Sequence, residues 1–315
     1  IVGRTLVETA DAIASGEVSA REVIEACLAQ IETQQPRLNC FISVDADDAL
    51  AAADAADAAQ ARGDSLGPLH GVPLAHKDLF YRAGKVATCA SAIRRDWKAD
   101  VTATAVARLE AAGAITLGGL NMAEFAIGPT GHNPHWGHCR NPWDPDYISG
   151  GSSSGSGSAV GGRCIFGALG SDTGGSIRLP ANFCGVVGLK PTQTRISRYG
   201  AMPVSFSLDC FGPLARTPRD VARLMQVIAG HDAQDPTSSR QPVPNYEAAL
   251  GGDLKGVRVG VPVNYFYDPG IDADVERLMR HSLDALVAAG ATLVEVKVPD
   301  QKRLIDLGTM VTFVE

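Results

Sequence analysis

Residues 149–176 read SGGSSSGSGSAVGGRCIFGALGSDTGGS. Two glycine–serine turns flank a short apolar segment at 164–169. Glycine has no Cβ, so backbone amides can crowd into a small space around such turns. Serine supplies a hydroxyl that can attack, relay a proton or simply bond. Two turns of this kind facing each other, with a base nearby, make a nucleophile and an oxyanion hole. Composition alone would also allow a flexible Gly/Ser linker. A linker does not explain the apolar segment and the second glycine turn directly behind it.

The base candidate lies upstream, in Gly67-Pro-Leu-His-Gly-Val-Pro-Leu-Ala-His-Lys-Asp78. Lys77 ends a short apolar run, and lysines rarely occupy such surroundings unless something holds them. The bland alternative is a structural lysine paired with Asp78. Asp172 and Arg178 flank the second turn, where an ion pair between them would brace it.

Together these residues resemble the Ser-cisSer-Lys triad of the amidase signature family. The matching blocks are Gly71-Val-Pro-Leu-Ala-His-Lys-Asp78, Gly150-Gly-Ser-Ser-Ser-Gly-Ser156 and Gly170-Ser-Asp-Thr-Gly-Gly-Ser-Ile-Arg-Leu-Pro180. Gly185-Val-Val-Gly-Leu-Lys-Pro-Thr192 fits as well, and the order and spacing agree. The resemblance implies Ser176 as nucleophile, Ser152 (after a cis peptide bond) as relay, and Lys77 as base. It implies an oxyanion hole from the N–H groups of Thr173, Gly174, Gly175 and Ser176. Ser153, Asp172 and Arg178 are expected to support the site. Met122, Phe125 and Met202 are placed in the substrate pocket by analogy, from the segments 122–127 and 202–206. One position departs from the pattern: many members carry G-G-S-S-G-G, and Ser154 stands where the third glycine would be.

The implied activity is hydrolysis of a carboxamide to a carboxylate plus ammonia or an amine, with no metal and no organic cofactor. The partner is a small-molecule amide, and a homodimer is the family-level expectation. A rival within the family is the glutaminase A subunit of aspartyl/glutamyl-tRNA amidotransferase, which passes ammonia to a partner subunit. There the segment after R-Y-G usually leads to S-L-D-Q, whereas this chain has Ser207-Leu-Asp-Cys210. That cysteine favours a stand-alone amidase. A non-catalytic binding protein on the same scaffold is disfavoured, because Lys77 and both serines are present.

Other signals are weaker. Gly151-Ser-Ser-Ser-Gly155 satisfies G-x-S-x-G, but residues 144–149 are not the buried strand that elbow needs. No Ser-x-x-Lys occurs. His132, His135 and His138 precede Cys139, yet interspersed Gly and Pro prevent a helix from aligning the imidazoles, so a surface loop is expected rather than a metal site.

The chain has 315 residues, 45% apolar and 20% charged, with net charge −7. That balance is ordinary for a globular protein and gives no field attractive to nucleic acid. Its seven cysteines include no Cys-x-x-Cys pair, which suggests reduced thiols and a cytoplasmic location. No apolar run is long enough to span a membrane.

Periodicity suggests an α/β fold, and the resemblance implies a large mixed β-sheet core wrapped by α-helices. Residues 1–315 read as a single domain whose C-terminal part lies beyond Glu315. A capping box at Ser19–Glu22 opens a helix with Val23, Cys27, Leu28 and Ile31 on one face. Residues 40–44 read as a strand, 46–62 as a solvated helix, and 72–75 as a buried strand delivering Lys77. Asp100 is expected to cap a helix ending at Gly113, with a strand at 115–117. Thr217-Pro218 opens a helix closed by Gly230. Residues 231–245 read as loop, and 257–298 as a strand–helix–strand unit.

Overall fold

The computed structural model describes residues 1–265 and 270–315. It divides the chain into two compact units, 1–247 with residue 315, and 248–314.

The larger unit is built on a six-stranded mixed sheet. Its strands are β1 (Phe41–Val44), β2 (Pro73–Lys77), β3 (Ile115–Leu120), β4 (Gly167–Asp172), β5 (Val187–Gly188) and β6 (Cys210–Ala215). Their order is β1-β3-β2-β4-β6-β5. The inner strands β3, β2 and β4 run parallel, and the remaining pairings are antiparallel. Helices α1 (Leu6–Ala14), α2 (Ala20–Leu38), α3 (Ala46–Ala61), α4 (Thr104–Ala111), α5 (Ser154–Gly161), α6 (Arg178–Cys184) and α7 (Pro218–Ile228) complete the unit. The core takes Leu6 and Ile13 from α1, Val23 and Ile24 from α2, Leu74 from β2, Phe166 ahead of β4, and Leu224 and Ile228 from α7. Each such side chain contributes roughly 1.5–3 kcal/mol by leaving water.

Polar end-groups fix the helix starts. The Ser19–Glu22 capping box is formed, and Thr5–Glu8 and Thr217–Asp220 make two more. Asp220 also accepts the Val7 N–H at 3.0 Å, so one buried carboxylate serves the first turns of both α1 and α7. Helix α4 begins at Thr104 and not at Asp100. The preceding segment pairs with the 81–85 loop instead: Ala99 N–H donates to Lys85 and Ala103 N–H to Tyr81. Strand β3 runs past Leu117 to Leu120 across two glycines. There β1 passes so close that a Cβ on Gly118 would lie 2.0 Å from the Ser43 carbonyl oxygen.

The smaller unit holds β7 (Arg258–Pro262), α8 (Ala273–Ala288), β8 (Thr292–Val296) and α9 (Gln301–Val314). Strands β7 and β8 pair in parallel, as expected of a strand–helix–strand unit, but among the described residues only with each other. No described helix is long and apolar enough to cross a membrane.

Candidate active site

Parallel pairing of β2 with β4 sets the site. Leu74 lies opposite Gly167 and His76 opposite Leu169, so Lys77 and Ser171 emerge side by side at the carboxyl ends of the two strands. That end of a parallel pair is where open α/β sheets place their ligands. Lys77 is fully buried. Its Nζ lies 2.6 Å from Ser152 Oγ and 2.8 Å from Ser171 Oγ. Burial pushes the ammonium down to about 7, opposed by the carboxylates of Asp209 and Asp172. Near neutrality a large fraction of this amine is therefore free to accept a proton. Asp78 is not its partner: the Asp78 carboxylate accepts the Thr88 N–H at 2.8 Å and the Thr88 hydroxyl.

The Gly151–Ser152 peptide bond is cis. Ser152 is fully buried, and its carbonyl accepts the Ala123 N–H at 3.1 Å. Ser153 ties the two glycine–serine turns together. Its N–H donates to the Ser176 carbonyl at 3.2 Å, and its Oγ donates to the Ser171 carbonyl at 3.2 Å. Ser176 is partly exposed, whereas Ser152 and Lys77 are buried. Among the described residues no hydrogen bond joins the hydroxyls of Ser152 and Ser176. Such bonds are commonly long before a substrate is in place.

The second turn presents donors. None of the N–H groups of Thr173, Gly174, Gly175 and Ser176 has an acceptor among the described residues. Gly174 is exposed, and nothing lies within 4 Å of where its Cβ would be. Thr173 Oγ1 donates to Asp209, whose carboxylate also accepts the Val204 N–H at 2.8 Å.

The turn is braced from behind. Arg178 grips the buried Asp172 with two bonds, Nε at 3.0 Å and Nη2 at 2.8 Å. The Ile177 N–H adds a third at 3.1 Å. Burial pushes the Asp172 carboxyl up, but Arg178 and this amide together hold it below its ordinary value. Arg178→Ala leaves a buried carboxylate with backbone donors only. We expect a loss of about 2 kcal/mol, the scale of a charge-assisted bond, read as a lower urea midpoint. An unchanged midpoint would show that the pair braces nothing.

Helix α5 takes up the end of the Gly150–Ser156 block, from Ser154 on, and is no linker. Residues 154–160 are all buried. Its small side chains let it dock on backbone, and its serines are satisfied there. Ser154 Oγ donates to the Asn121 carbonyl at 3.3 Å, Ser156 Oγ to Leu169 at 3.0 Å and Ser158 Oγ to Arg140 at 2.7 Å. Ser154 therefore fits in place of the usual glycine by bonding the strand end it touches.

The three pocket candidates separate. Phe125 and Met202 are half-buried, but Met122 lies wholly in the core and offers no surface. Asn121 Oδ1 holds its N–H, and the Asn133 side chain bonds its carbonyl. The histidine-rich loop is organised by the same asparagine: Asn133 Oδ1 accepts the N–H groups of His135 and Trp136. His138 Nδ1 accepts the Asn133 N–H at 3.1 Å. Two residues at the site escape the sequence reading. Ser171 looks like one more serine among many, and Asp209 lies on a distant turn. The only available signal for Asp209 is a carboxylate set directly before the apolar strand β6.

A family model described as Amidase matches residues 22–315. The A subunit of glutamyl-tRNA(Gln) amidotransferase from Halorhodospira halophila is 46% identical over 299 residues, which cover 95% of this chain and 61% of that relative. This chain thus spans well under two thirds of that relative's length. Among solved structures, the native peptide amidase of Stenotrophomonas maltophilia superposes with a TM-score of 0.88 at 33% identity, covering 96% of this chain and 64% of that one. A chain of the vestigial protein complex that bears on the origins of an s-triazine catabolic enzyme gives 0.93 at 39% identity, covering 98% and 67%. Sequence and fold agree across nearly the whole chain: it belongs to the amidase signature family.

Proposed function

We propose that the protein hydrolyses a carboxamide through a serine acyl-enzyme. The observation that carries this reading is the buried Lys77 amine, 2.6 Å from Ser152 Oγ, with Ser153 tied to Ser176 beside it. Ser176 Oγ attacks the carbonyl carbon. Its proton passes to Ser152 Oγ as the Ser152 proton passes to Lys77 Nζ. The N–H groups of residues 173–176 take the oxyanion, each such donor being worth roughly 3–4 kcal/mol of barrier. The C–N bond then breaks, and the leaving nitrogen takes a proton back through Ser152. Water cleaves the Ser176 ester by the same relay and releases the carboxylate.

The amide we favour is that of glutamine, with the chain acting as the A subunit of a tRNA amidotransferase that hands ammonia to a partner. Identity to relatives bearing that name extends over 95% of the chain. This outweighs the single cysteine at 210, on which the sequence reading leans toward a stand-alone enzyme. A free-standing amidase is the second reading, and the likeness to a peptide amidase at 33% identity supports it.

The test uses the full-length protein. Ser176→Ala is expected to abolish labelling by a fluorophosphonate and to lower amide hydrolysis at least about 10⁴-fold. Retained activity would sink the serine mechanism. Ammonia release from glutamine, stimulated by partner subunits, supports the first reading. Turnover of simple or peptide amides with glutamine inert supports the second.

A further inference from the structure

Beside Asp78, the neighbour of Lys77 in the chain, lies a cavity of about 450 Å³. Asp78 and Thr88 line it, together with Ser43, Asp45, Arg82 and Lys85, and Arg95, Lys98 and Trp136 complete the wall. Its acids are already engaged. Asp45 takes Arg82 at 2.6 Å and Lys85 at 3.0 Å. Asp78 takes the Thr88 N–H and hydroxyl, and burial pushes its carboxyl up to about 6. The groups left over are all donors. Among the described residues, neither Arg95 nor Lys98 forms an ion pair or a side-chain hydrogen bond. The Arg95 guanidinium lies over the Trp136 ring at 5.4 Å. Trp136 Nε1 is buried with no acceptor.

A buried indole N–H without a partner costs roughly 1–3 kcal/mol, so an acceptor at that place is stabilising. Two unpaired cations beside it set the sign of that acceptor's charge. We propose that this cavity is a binding site for a small oxyanion, a carboxylate or a phosphate. Trp136 Nε1, Arg95 and Lys98 hold it. The site is separate from the amide-cleaving centre and does not depend on the reading of that centre.

The experiment is calorimetric titration of the full-length protein with inorganic phosphate and, separately, with acetate. Saturable binding is expected for at least one of them, in the micromolar to low millimolar range. Which one binds tells phosphate from carboxylate chemistry. The double variant Arg95→Glu, Lys98→Glu should weaken it at least about tenfold, and Trp136→Phe by a similar factor. Both charge substitutions fall on exposed side chains, so the fold should hold. A charge reversal in the smaller unit, Arg277→Glu, should leave binding unchanged. Absence of saturable binding into the millimolar range, or binding that the double variant does not weaken, overturns the proposal.

Discussion

Lys77→Met should inactivate the protein and stabilise it at the same time. General-base assistance of this kind contributes about 10²–10⁴-fold, and amide hydrolysis should fall by that factor. The stability gain follows from burial. A lysine titrating at about 7 in place of 10.5 signals a penalty on the charged form of about 5 kcal/mol. Methionine fills similar space without charge, but leaves the Ser152 and Ser171 hydroxyls without their amine. Each unpartnered buried hydroxyl costs about 1–3 kcal/mol, so the net gain at neutral pH is at most about 3 kcal/mol. Its pH dependence distinguishes this cause from generic repacking. Between about 7 and 10.5 the unfolded chain holds a proton at Lys77 that the folded chain has lost, so wild-type stability rises with pH there. Below about 7 both states are protonated and the full penalty applies. The melting-temperature difference between variant and wild type is thus greatest at about pH 6 and shrinks toward about pH 10. Wild-type kcat/KM should fall tenfold per pH unit below about 7, as the base becomes protonated. A pH-independent difference in melting temperature would show that Lys77 is not held in this way.

The parts of this site that could be read ahead of the structure are those whose chemistry conflicts with their surroundings. A lysine closing an apolar run is such a conflict, and Lys77 closes β2. Paired glycine–serine turns are another. Ser171 raises no conflict, because a serine in a serine-rich stretch looks ordinary until a strand register sets it beside Lys77. Asp209 is brought in by the long antiparallel pairing of β4 with β6, which local pattern does not encode. Asp100 misleads about the start of α4 because it is a sound cap by local rules, while the amides around it are claimed by a loop some way back in the chain. The β7–α8–β8 unit shows the same division. Its periodicity is local and legible, whereas its sheet membership depends on neighbours.

Gly155→Ala should be among the most destabilising single-methyl changes in the chain, although local propensity predicts the opposite. Within a helix, alanine is favoured over glycine by about 1 kcal/mol. Gly155 lies in the first turn of α5 with an ordinary backbone conformation, so that gain is nominally available. Packing removes it. A Cβ there would lie 2.4 Å from the Cys40 carbonyl oxygen and 2.5 Å from the Asn121 nitrogen, with the Asn121 oxygen at 2.6 Å. All three are backbone atoms at strand ends, so no side chain can swing aside. The Gly155 N–H also donates to the Asn121 carbonyl at 2.7 Å, and any retreat of the helix lengthens that bond. Overpacking usually costs about 1–3 kcal/mol, and an immovable backbone puts this site at or above the upper end. Because α5 begins directly after Ser152 and Ser153, its displacement would also move Ser152 away from Lys77, and activity should fall in the molecules that still fold. Gly174→Ala is the control from the other turn: its Cβ meets nothing within 4 Å, so stability should stay within about 0.5 kcal/mol. Urea midpoints of the two variants decide the matter. A Gly155→Ala protein as stable as wild type would mean that α5 is not seated on the ends of β1 and β3. The first serine turn would then have lost the support that holds Ser152 near Lys77.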